Sequence, residues 1–170
     1  LLQVHGGPHW ALGERFGFDP RRLAEGGYRV LLINPRGAQG YGEAYATVNR
    51  GDWGGIDARD LLAAVDAAAA RPDVDETRIG VYGESYGGYM TNWLIATTDR
   101  FRAAVAQNCI SDVASETLST DDPPGMAYEF LGLPWEQPDL YRDRSPLTHV
   151  ANVRTPLLLV HSEADQNCPI

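Results

Sequence analysis

The sequence contains no lysine, has two cysteines and lacks any long hydrophobic segment. All 14 basic residues are arginines, 23 acidic residues bring the net charge to −9, and no block of basic residues occurs. A surface that follows a phosphate backbone or an anionic membrane is therefore not predicted. No aliphatic run is longer than five residues, whereas a helix that crosses a bilayer needs about 20. These absences predict that neither nucleic acid nor a membrane is a partner of this chain.

Length and composition are typical of a globular domain. The 170 residues are 44% hydrophobic and 22% charged, and one domain commonly has about 150 residues. We therefore predict one domain over residues 1–170. Cys109 and Cys168 are expected to be buried free thiols, because a chain of this length without a secretory signal needs no disulfide framework. The chain starts inside an apolar run at Leu1 and stops at Ile170 without a closing element, so we expect a domain truncated at both ends.

Short aliphatic segments alternate with amphipathic segments along the chain. The predicted strands are residues 1–4, 29–33, 78–82, 103–107 and 156–160. Residues 57–70, after the second strand, and residues 86–98, after the third, carry apolar side chains at helical spacing, which predicts two crossover helices. The alternation predicts an α/β fold, a mostly parallel sheet with helices on both faces. Because the strands are continuously apolar, we also expect them to be buried on both faces.

The segment 111–145 differs from the rest of the chain. It is rich in Asp, Pro and Gly, and its aromatic residues follow no single period. We expect an insertion-like excursion near the site rather than an element of the sheet. Its aromatic side chains could line a pocket, since parallel sheets bind ligands at the carboxyl ends of their strands. Packing of the excursion onto the body of the domain fits the sequence equally well.

The strongest signal of chemistry is the segment Gly83-Glu84-Ser85-Tyr86-Gly87. It follows a predicted strand and precedes a predicted helix, which is the context that a G-x-S-x-G nucleophile elbow requires. Such a turn holds its serine in a strained conformation and lifts the hydroxyl above the edge of the sheet. The two glycines leave room for the neighbouring strand and helix. Ser85 is therefore predicted to be a catalytic nucleophile.

A second glycine-rich loop, His5-Gly6-Gly7-Pro8, follows the first predicted strand. Acyl transfer places negative charge on a carbonyl oxygen, and backbone N–H groups of a glycine loop can approach that oxygen closely. We predict that the N–H groups of Gly7 and Tyr86 are the two donors. Alone, the loop would be typical of a simple Gly-Pro turn. Together with the serine elbow it indicates an oxyanion hole.

Polar residues after the last predicted strand supply the acid of a Ser-Asp-His triad. In α/β-hydrolases the acid follows such a strand and the histidine follows the acid. Asp165 is the predicted acid and Glu163 is its competitor, because the spacing from the strand does not decide between them. The chain ends five residues after Asp165, and the histidines at positions 5, 9, 149 and 161 all precede it. The general base is therefore expected beyond Ile170.

No cofactor and no metal ion are predicted. His5 and His9 stand on a Gly-Pro loop rather than on one face of a helix, and no cluster of cysteine or glutamate completes a zinc site. A phosphate-binding loop of the P-loop type is also absent, because it would combine glycines with a lysine.

Several motifs in this order resemble the catalytic domain of the prolyl oligopeptidase family of serine peptidases, in particular its acylaminoacyl-peptidase and dipeptidyl-peptidase branches. The resemblance covers nearly all 170 residues. It rests on His5-Gly6-Gly7-Pro8, Asn34-Pro35-Arg36-Gly37 with Gly40-Tyr41-Gly42, Gly51-Asp52-Trp53-Gly54-Gly55 with Asp57 and Asp60, residues 83–89, Asp99-Arg100-Phe101, Ser145-Pro146 and residues 161–165.

The resemblance implies an α/β-hydrolase fold with Ser85 as nucleophile, Asp165 as triad acid, and Gly7 and Tyr86 as oxyanion donors. It implies a histidine some tens of residues after the acid. It also implies an amino-terminal β-propeller, upstream of Leu1, that restricts access to small peptides.

Two pairs of adjacent residues depart from the family pattern. Ala38-Gln39 stands where Ser-Thr is common, and Gln166-Asn167 stands where an aromatic residue and an arginine are frequent. The second departure changes the charge expected around Asp165. Neither departure touches the nucleophile or the glycines.

We therefore expect a serine-type peptidase that hydrolyses short or N-acylated peptides through an acyl-enzyme, and an isolated chain that is inactive without its histidine. An esterase or lipase on the same fold is the first alternative, because the elbow and the glycine loop serve esters and amides alike. An inactive binding module is the second, if the chain is complete. Further expectations are a small peptide substrate, a homo-oligomeric state and a cytoplasmic location.

Overall fold

Five parallel strands form the centre of the computed structural model, which describes residues 1–14 and 17–170. The strands are β1 (Leu2–Val4), β2 (Leu31–Leu32), β3 (Gly80–Glu84), β4 (Ala103–Gln107) and β5 (Leu157–Val160). The helices are α1 (Phe18–Glu25), α2 (Glu43–Ala46), α3 (Ile56–Ala69), α4 (Tyr86–Thr97), α5 (Val113–Ser119), α6 (Pro123–Glu129) and α7 (Pro138–Arg144), followed by a 3-10 helix over Pro146–Asn152. The five predicted strands and both predicted crossover helices are confirmed, with ends that differ by at most two residues.

The strand order β2-β1-β3-β4-β5 places β3, which leads into the serine turn, in the middle of the sheet. The register brings the last residues of the strands level: Val4 pairs with Gly83, Glu84 with Gln107, and Gln107 with Val160. Parallel neighbours need crossover connections, which α3 supplies before β3 and α4 supplies after it. The carboxyl ends of β1, β3, β4 and β5 therefore meet at one edge of the sheet.

One face of the sheet is packed under α4 and is buried. Val4, Val81 and Ala104 point to this face, and α4 is buried nearly all round, as expected of a helix inside a core. On the opposite face Tyr82 and Val105 are half-buried, and side chains of α1 border the same hollow. The prediction that the strands are buried on both faces is therefore wrong for this chain.

Strand β5 departs furthest from its predicted environment. Its four aliphatic side chains are all exposed, and Leu158 and Leu159 each retain 58% of their accessible surface. The strand pairs with β4 on one side, and within residues 1–14 and 17–170 no second strand pairs with it on the other. A run of Leu and Val indicates a strand, but its burial depends on an element that covers it.

The segment 111–145 contributes no strand and contains α5, α6 and α7, each of seven residues. Two helical turns are too short to show a hydrophobic period, so the sequence pattern looked irregular. Phe130 and Tyr141 pack into the core, while Tyr128 and Trp135 are exposed. Packing onto the body is thus the role of the buried pair.

Helix α1 was not predicted from the sequence. None of its eight residues is buried, and a helix of about two turns is too short to show a repeating hydrophobic period. The longest helix is α3, with 14 residues. In the part of the chain that the structure describes, no helix is long and apolar enough to cross a membrane.

Candidate active site

Ser85 occupies the sharp turn between β3 and α4. Its backbone φ is +59° and its ψ is −125°, a region that residues with a Cβ atom avoid. The Ser85 N–H donates to the carbonyl oxygen of Gln107 at 3.1 Å, and the Ser85 carbonyl accepts from the N–H of Tyr89 at 2.9 Å. These hydrogen bonds hold the strained turn at the carboxyl end of the central strand, with the serine side chain half-buried.

Gly83 and Gly87 make this turn possible. A Cβ atom on Gly83 would overlap the backbone of Gly87, and a Cβ atom on Gly87 would overlap the carbonyl oxygen of Val4. Helix α4 therefore starts in direct backbone contact with the ends of β1 and β3. The geometry agrees with the reason for which the sequence pattern requires glycine at both positions.

A cleft of about 470 Å³ opens beside Ser85. Its lining consists of Gly6, Gly7, His9, Trp10, Glu84 and Ser85. The loop after β1 lies close to the elbow, since a Cβ atom on Gly6 would stand 3.7 Å from the Cβ atom of Ser85. Trp10 is 64% exposed and offers the cleft an apolar surface. The volume is in the range of small-ligand sites.

The two predicted oxyanion donors have N–H groups available for a ligand. Among the described residues, neither the N–H of Gly7 nor that of Tyr86 donates to a protein acceptor. Tyr86 is the first residue of α4, where N–H groups lack acceptors within the helix and the helix dipole is positive. Gly7 lines the cleft beside Ser85. Both groups can therefore stabilise an anionic oxygen in this region.

A buried polar cluster anchors the side chain of Tyr86 behind the elbow. The Tyr86 hydroxyl donates to Asp57 Oδ2 at 2.6 Å, and Asn49 Nδ2 donates to the same oxygen at 3.3 Å. Asp57 Oδ1 accepts from the N–H of Ala58 at 2.7 Å. Burial raises the pKa of Asp57 above its usual value, although these hydrogen bonds oppose the rise. The cluster fixes the ring of a residue whose N–H is a predicted donor.

Asp165 lies half-buried in the turn after β5. Its Oδ1 accepts from the N–H of Asn167 at 3.0 Å and from the N–H of Cys168 at 2.9 Å. Glu163 is exposed, and within the described ranges its carboxylate makes no hydrogen bond. The held carboxylate is the better candidate for a group that orients a catalytic histidine, so the geometry favours Asp165 over Glu163.

The turn that carries Asp165 is fixed from two sides. His161 Nε2 lies 2.7 Å from the carbonyl oxygen of Cys168, so the His161 ring links the start of the turn to its end. The Thr120 hydroxyl donates to the carbonyl oxygen of Asn167 at 2.7 Å. The segment between α5 and α6 therefore borders the candidate site.

Cys168 connects this turn with the nucleophile. Its Sγ lies 3.7 Å from Ser85 Oγ, with the thiol as donor. Burial, together with the carboxylates of Glu116 and Asp165, raises the pKa of Cys168 to about 12. The thiol is therefore protonated at neutral pH and does not compete with Ser85 as a nucleophile. Both cysteines are free thiols as predicted, although Cys109 is half-buried rather than buried.

His9 and Glu129 form a pair at the cleft that the sequence did not reveal. His9 Nε2 lies 2.7 Å from Glu129 Oε1, and His9 Nδ1 lies 2.9 Å from the carbonyl oxygen of Gly37. Trp53 Nε1 donates to Glu129 Oε2 at 3.0 Å. No spacing rule connects residues that stand 120 positions apart. The available signal was an acidic residue inside the otherwise apolar stretch 126–130.

Neither a metal site nor a histidine paired with Asp165 is present among the described residues. Within residues 1–14 and 17–170, no group of three or more His, Cys, Asp or Glu side chains could hold a metal ion. The ring of His5 hydrogen-bonds to its own loop through Gly6, and that of His149 to the carbonyl oxygen of Asp143. In this part of the chain no histidine side chain hydrogen-bonds to Asp165.

A parallel sheet with a strained serine after its central strand and a glycine loop after the adjacent strand defines an α/β-hydrolase. The chain belongs to the prolyl oligopeptidase family, which matches residues 14–170. The fold and the family resemblance predicted from the sequence are both confirmed.

Relatives of known name share both sequence and fold with this chain. It is 45% identical to the uncharacterized peptidase YuxL of Bacillus subtilis, with 100% of the chain covered, and 34% identical to dipeptidyl-peptidase 5 of Porphyromonas gingivalis, with 97% covered. Among solved structures, the acylaminoacyl peptidase of Pyrococcus horikoshii matches 99% of the chain with a TM-score of 0.94 and 36% identity. The chain covers 26%, 25% and 28% of these three proteins, and thus spans about a quarter of each relative.

Proposed function

We propose that this chain carries the nucleophile, the triad acid and the oxyanion hole of a longer serine peptidase, called the parent protein below. The observation that carries the proposal is the strained conformation of Ser85 beside a cleft that Gly7 also lines. Backbone strain of this kind persists where function requires it. The greater length of the relatives supports a longer parent protein, and the family resemblance implies its histidine beyond Ile170 and its β-propeller upstream of Leu1.

In the proposed reaction, Ser85 Oγ attacks the substrate carbonyl carbon while its proton passes to that histidine. The carbonyl oxygen becomes an oxyanion that accepts hydrogen bonds from the N–H groups of Gly7 and Tyr86. When the intermediate collapses, the C–N bond breaks and the histidine returns the proton to the leaving amine. Water then attacks the acyl-enzyme by the same route, which releases the acid product and restores Ser85. Asp165 keeps the histidine in the productive tautomer.

Short or N-acylated peptides are the proposed substrates. The names of the relatives, an acylaminoacyl peptidase and a dipeptidyl-peptidase, support cleavage near the amino end of a peptide. The cleft volume of about 470 Å³ and the exposed Trp10 support binding of one or two apolar side chains beside the reactive carbonyl.

The first test uses the parent protein and its Ser85→Ala variant. We expect a fluorophosphonate probe to label the wild type at Ser85, and the wild type to hydrolyse an N-acyl-aminoacyl anilide. Ser85→Ala should abolish labelling and lower kcat/KM by at least about 10⁴-fold. Ser115→Ala serves as the matched control, because Ser115 is exposed on α5 and should be labelled and active like the wild type.

The other outcomes decide between the remaining classes of protein. Hydrolysis confined to a short-chain nitrophenyl ester would contradict the peptidase proposal and assign an esterase. Failure of the parent protein both to react with the probe and to hydrolyse either substrate would contradict catalysis and favour a binding module.

A further inference from the structure

His9 stands two residues after Gly7 and contributes to the wall of the Ser85 cleft. Its Nδ1 faces the carbonyl oxygen of Gly37 at 2.9 Å and its Nε2 faces Glu129 Oε1 at 2.7 Å. A carbonyl oxygen and a carboxylate oxygen accept hydrogen bonds and do not donate them. Both contacts are therefore hydrogen bonds when both ring nitrogens carry a proton, which describes an imidazolium ion.

The side chain of Glu129, which contacts this ring, is buried and has a partner at both carboxylate oxygens. Glu129 is 7% exposed, and each of its oxygens has a partner, the His9 ring on one and the Trp53 indole N–H on the other. A buried carboxylate is costly unless it is paired and hydrogen-bonded, and an imidazolium satisfies both needs.

Among the described residues, Glu129 of α6 is the charged group that faces His9, whereas Gly37 and Ala46 face the ring with their backbone carbonyl oxygens. The hydrogen bond to Glu129, and less strongly its charge and these carbonyls, raise the pKa of His9 above 6.5, while burial opposes the rise.

A tight turn of the backbone couples the position of His9 to that of Gly7. Gly7 has a φ of +131°, and a Cβ atom on it would lie 2.6 Å from the backbone nitrogen of His9 and 2.7 Å from that of Trp10. The peptide of Gly7 and the peptides that follow it therefore fit against each other without spare room. A His9 ring that is hydrogen-bonded through both nitrogens fixes this turn, and the turn fixes the Gly7 N–H.

We propose that His9, as an imidazolium ion tied to Glu129 and to the carbonyl of Gly37, is a positioning residue that holds the Gly7 N–H in the oxyanion hole. The inference rests on the function proposed above and adds a pH-dependent requirement to it. When His9 loses its proton, one of its nitrogens becomes an acceptor that faces another acceptor, and one of the two hydrogen bonds is lost.

The direction of the pH effect follows because His9 makes both hydrogen bonds only in its charged form. Catalysis should be fully supported below the raised pKa of His9 and should decline as the pH rises through it. The triad histidine acts in the opposite direction, because it must be unprotonated to accept the proton of Ser85. The wild-type profile of kcat/KM should therefore have an alkaline limb as well as an acidic one.

The test measures kcat, KM and the pH profile of the parent protein with an N-acylated anilide, whose amino end does not titrate. His9→Ala should lower kcat by about 10- to 100-fold, because one oxyanion donor is displaced rather than removed, and should leave KM within about twofold. Glu129→Gln gives the sharper readout. A glutamine amide can donate to neutral His9 Nε2 and accept from Trp53, so both hydrogen bonds persist although neither side chain of the pair is charged.

Glu129→Gln should therefore lose the alkaline limb of the kcat/KM profile. His149→Ala is the matched control, since the ring of His149 has one hydrogen-bonded nitrogen, at 3.1 Å from the carbonyl oxygen of Asp143, and its removal should leave the profile unchanged. An alkaline limb that is the same in Glu129→Gln and wild type would overturn the inference, as would wild-type kcat in His9→Ala. If His9→Ala does not fold, the Glu129→Gln profile still decides. If the wild-type parent protein does not hydrolyse the anilide at all, the result would instead contradict the proposed function.

Discussion

Asp165 and Glu163 stand two residues apart in one turn, and their surroundings differ. Asp165 accepts two backbone N–H groups and is half-buried, so its carboxylate has a fixed orientation. Glu163 projects into solvent. A triad acid has to hold an imidazole in one tautomer, which a fixed carboxylate does and a mobile one does not.

Replacing each carboxyl group by its amide tests this difference at the scale of one residue. In the parent protein, Asp165→Asn should lower kcat by about 10³- to 10⁴-fold, because the amide favours the wrong tautomer of the histidine. Glu163→Gln, a change of the same kind two residues away, should leave kcat within about twofold. Steady-state kinetics on the anilide substrate checks both. The assignment of the acid would be reversed if Glu163→Gln gave the large loss and Asp165→Asn gave none.

Sequence reasoning at this scale worked where one local motif specifies one backbone conformation. The turn at Ser85 could be predicted because strand, G-x-S-x-G and helix are contiguous, and the structure has the strained turn that the motif requires. Contacts between distant segments could not be predicted. Cys168 reaches Ser85 across 83 positions and Glu129 reaches His9 across 120, and no period in the sequence encodes either distance.

At the scale of secondary-structure elements, the site depends on how closely α4 crosses the sheet. The helix begins against the backbone of β1 and β3, with Gly87 over the carbonyl oxygen of Val4. This contact sets the height of the serine turn above the sheet edge. It also places the first N–H of α4 at the end of β1, from which the loop with Gly7 starts.

Gly87→Ala should therefore destabilise the parent protein and displace Ser85. The added methyl group would force α4 away from the end of β1, at a cost of about 3 kcal/mol in the free energy of unfolding. Gly13→Ala is the matched control, because no atom of the described residues lies within 4 Å of a Cβ atom on Gly13, and it should change stability by no more than about 0.5 kcal/mol. Urea denaturation and the rate of fluorophosphonate labelling measure the two effects. Equal stability of the two variants would show that the close crossing does not hold the turn.

Helices could be predicted from the sequence where they are long and have a buried face, and not where they are short. Helix α3, with 14 residues and a buried face, has a readable period, whereas α5, α6 and α7 have seven residues each. Their starts do carry local signals, since Asp112 and Asp122 cap α5 and α6 by accepting backbone N–H groups and proline opens α6 and α7. Such capping is visible in a sequence without any hydrophobic period.

For the molecule as a whole, the balance of charge opposes stability at high pH. The chain has a net charge of −9, and some of its carboxyl groups are inside the protein. Glu116 is 6% exposed beside Cys168. Burial, followed by repulsion from Asp165 and Asp121, raises its pKa from 4.5 to about 7, although contact with Cys168 opposes the rise. Ionisation of Glu116 therefore costs folding free energy near neutral pH.

Glu116→Gln should accordingly stabilise the parent protein in a pH-dependent way. Below pH 4.5 the wild-type carboxyl group is protonated in both the folded and the unfolded state, so the two proteins should unfold alike. As the pH rises from there through about 7, wild type loses the stability of its neutral carboxyl group, and the variant should become more stable by about 1–3 kcal/mol. Thermal unfolding from pH 4 to 8 measures this difference, with Glu76→Gln, an exposed carboxyl group, as control. A constant difference between variant and wild type over that range would mean that Glu116 has the same pKa in the folded and the unfolded state, and that the cluster around Cys168 tolerates its charge.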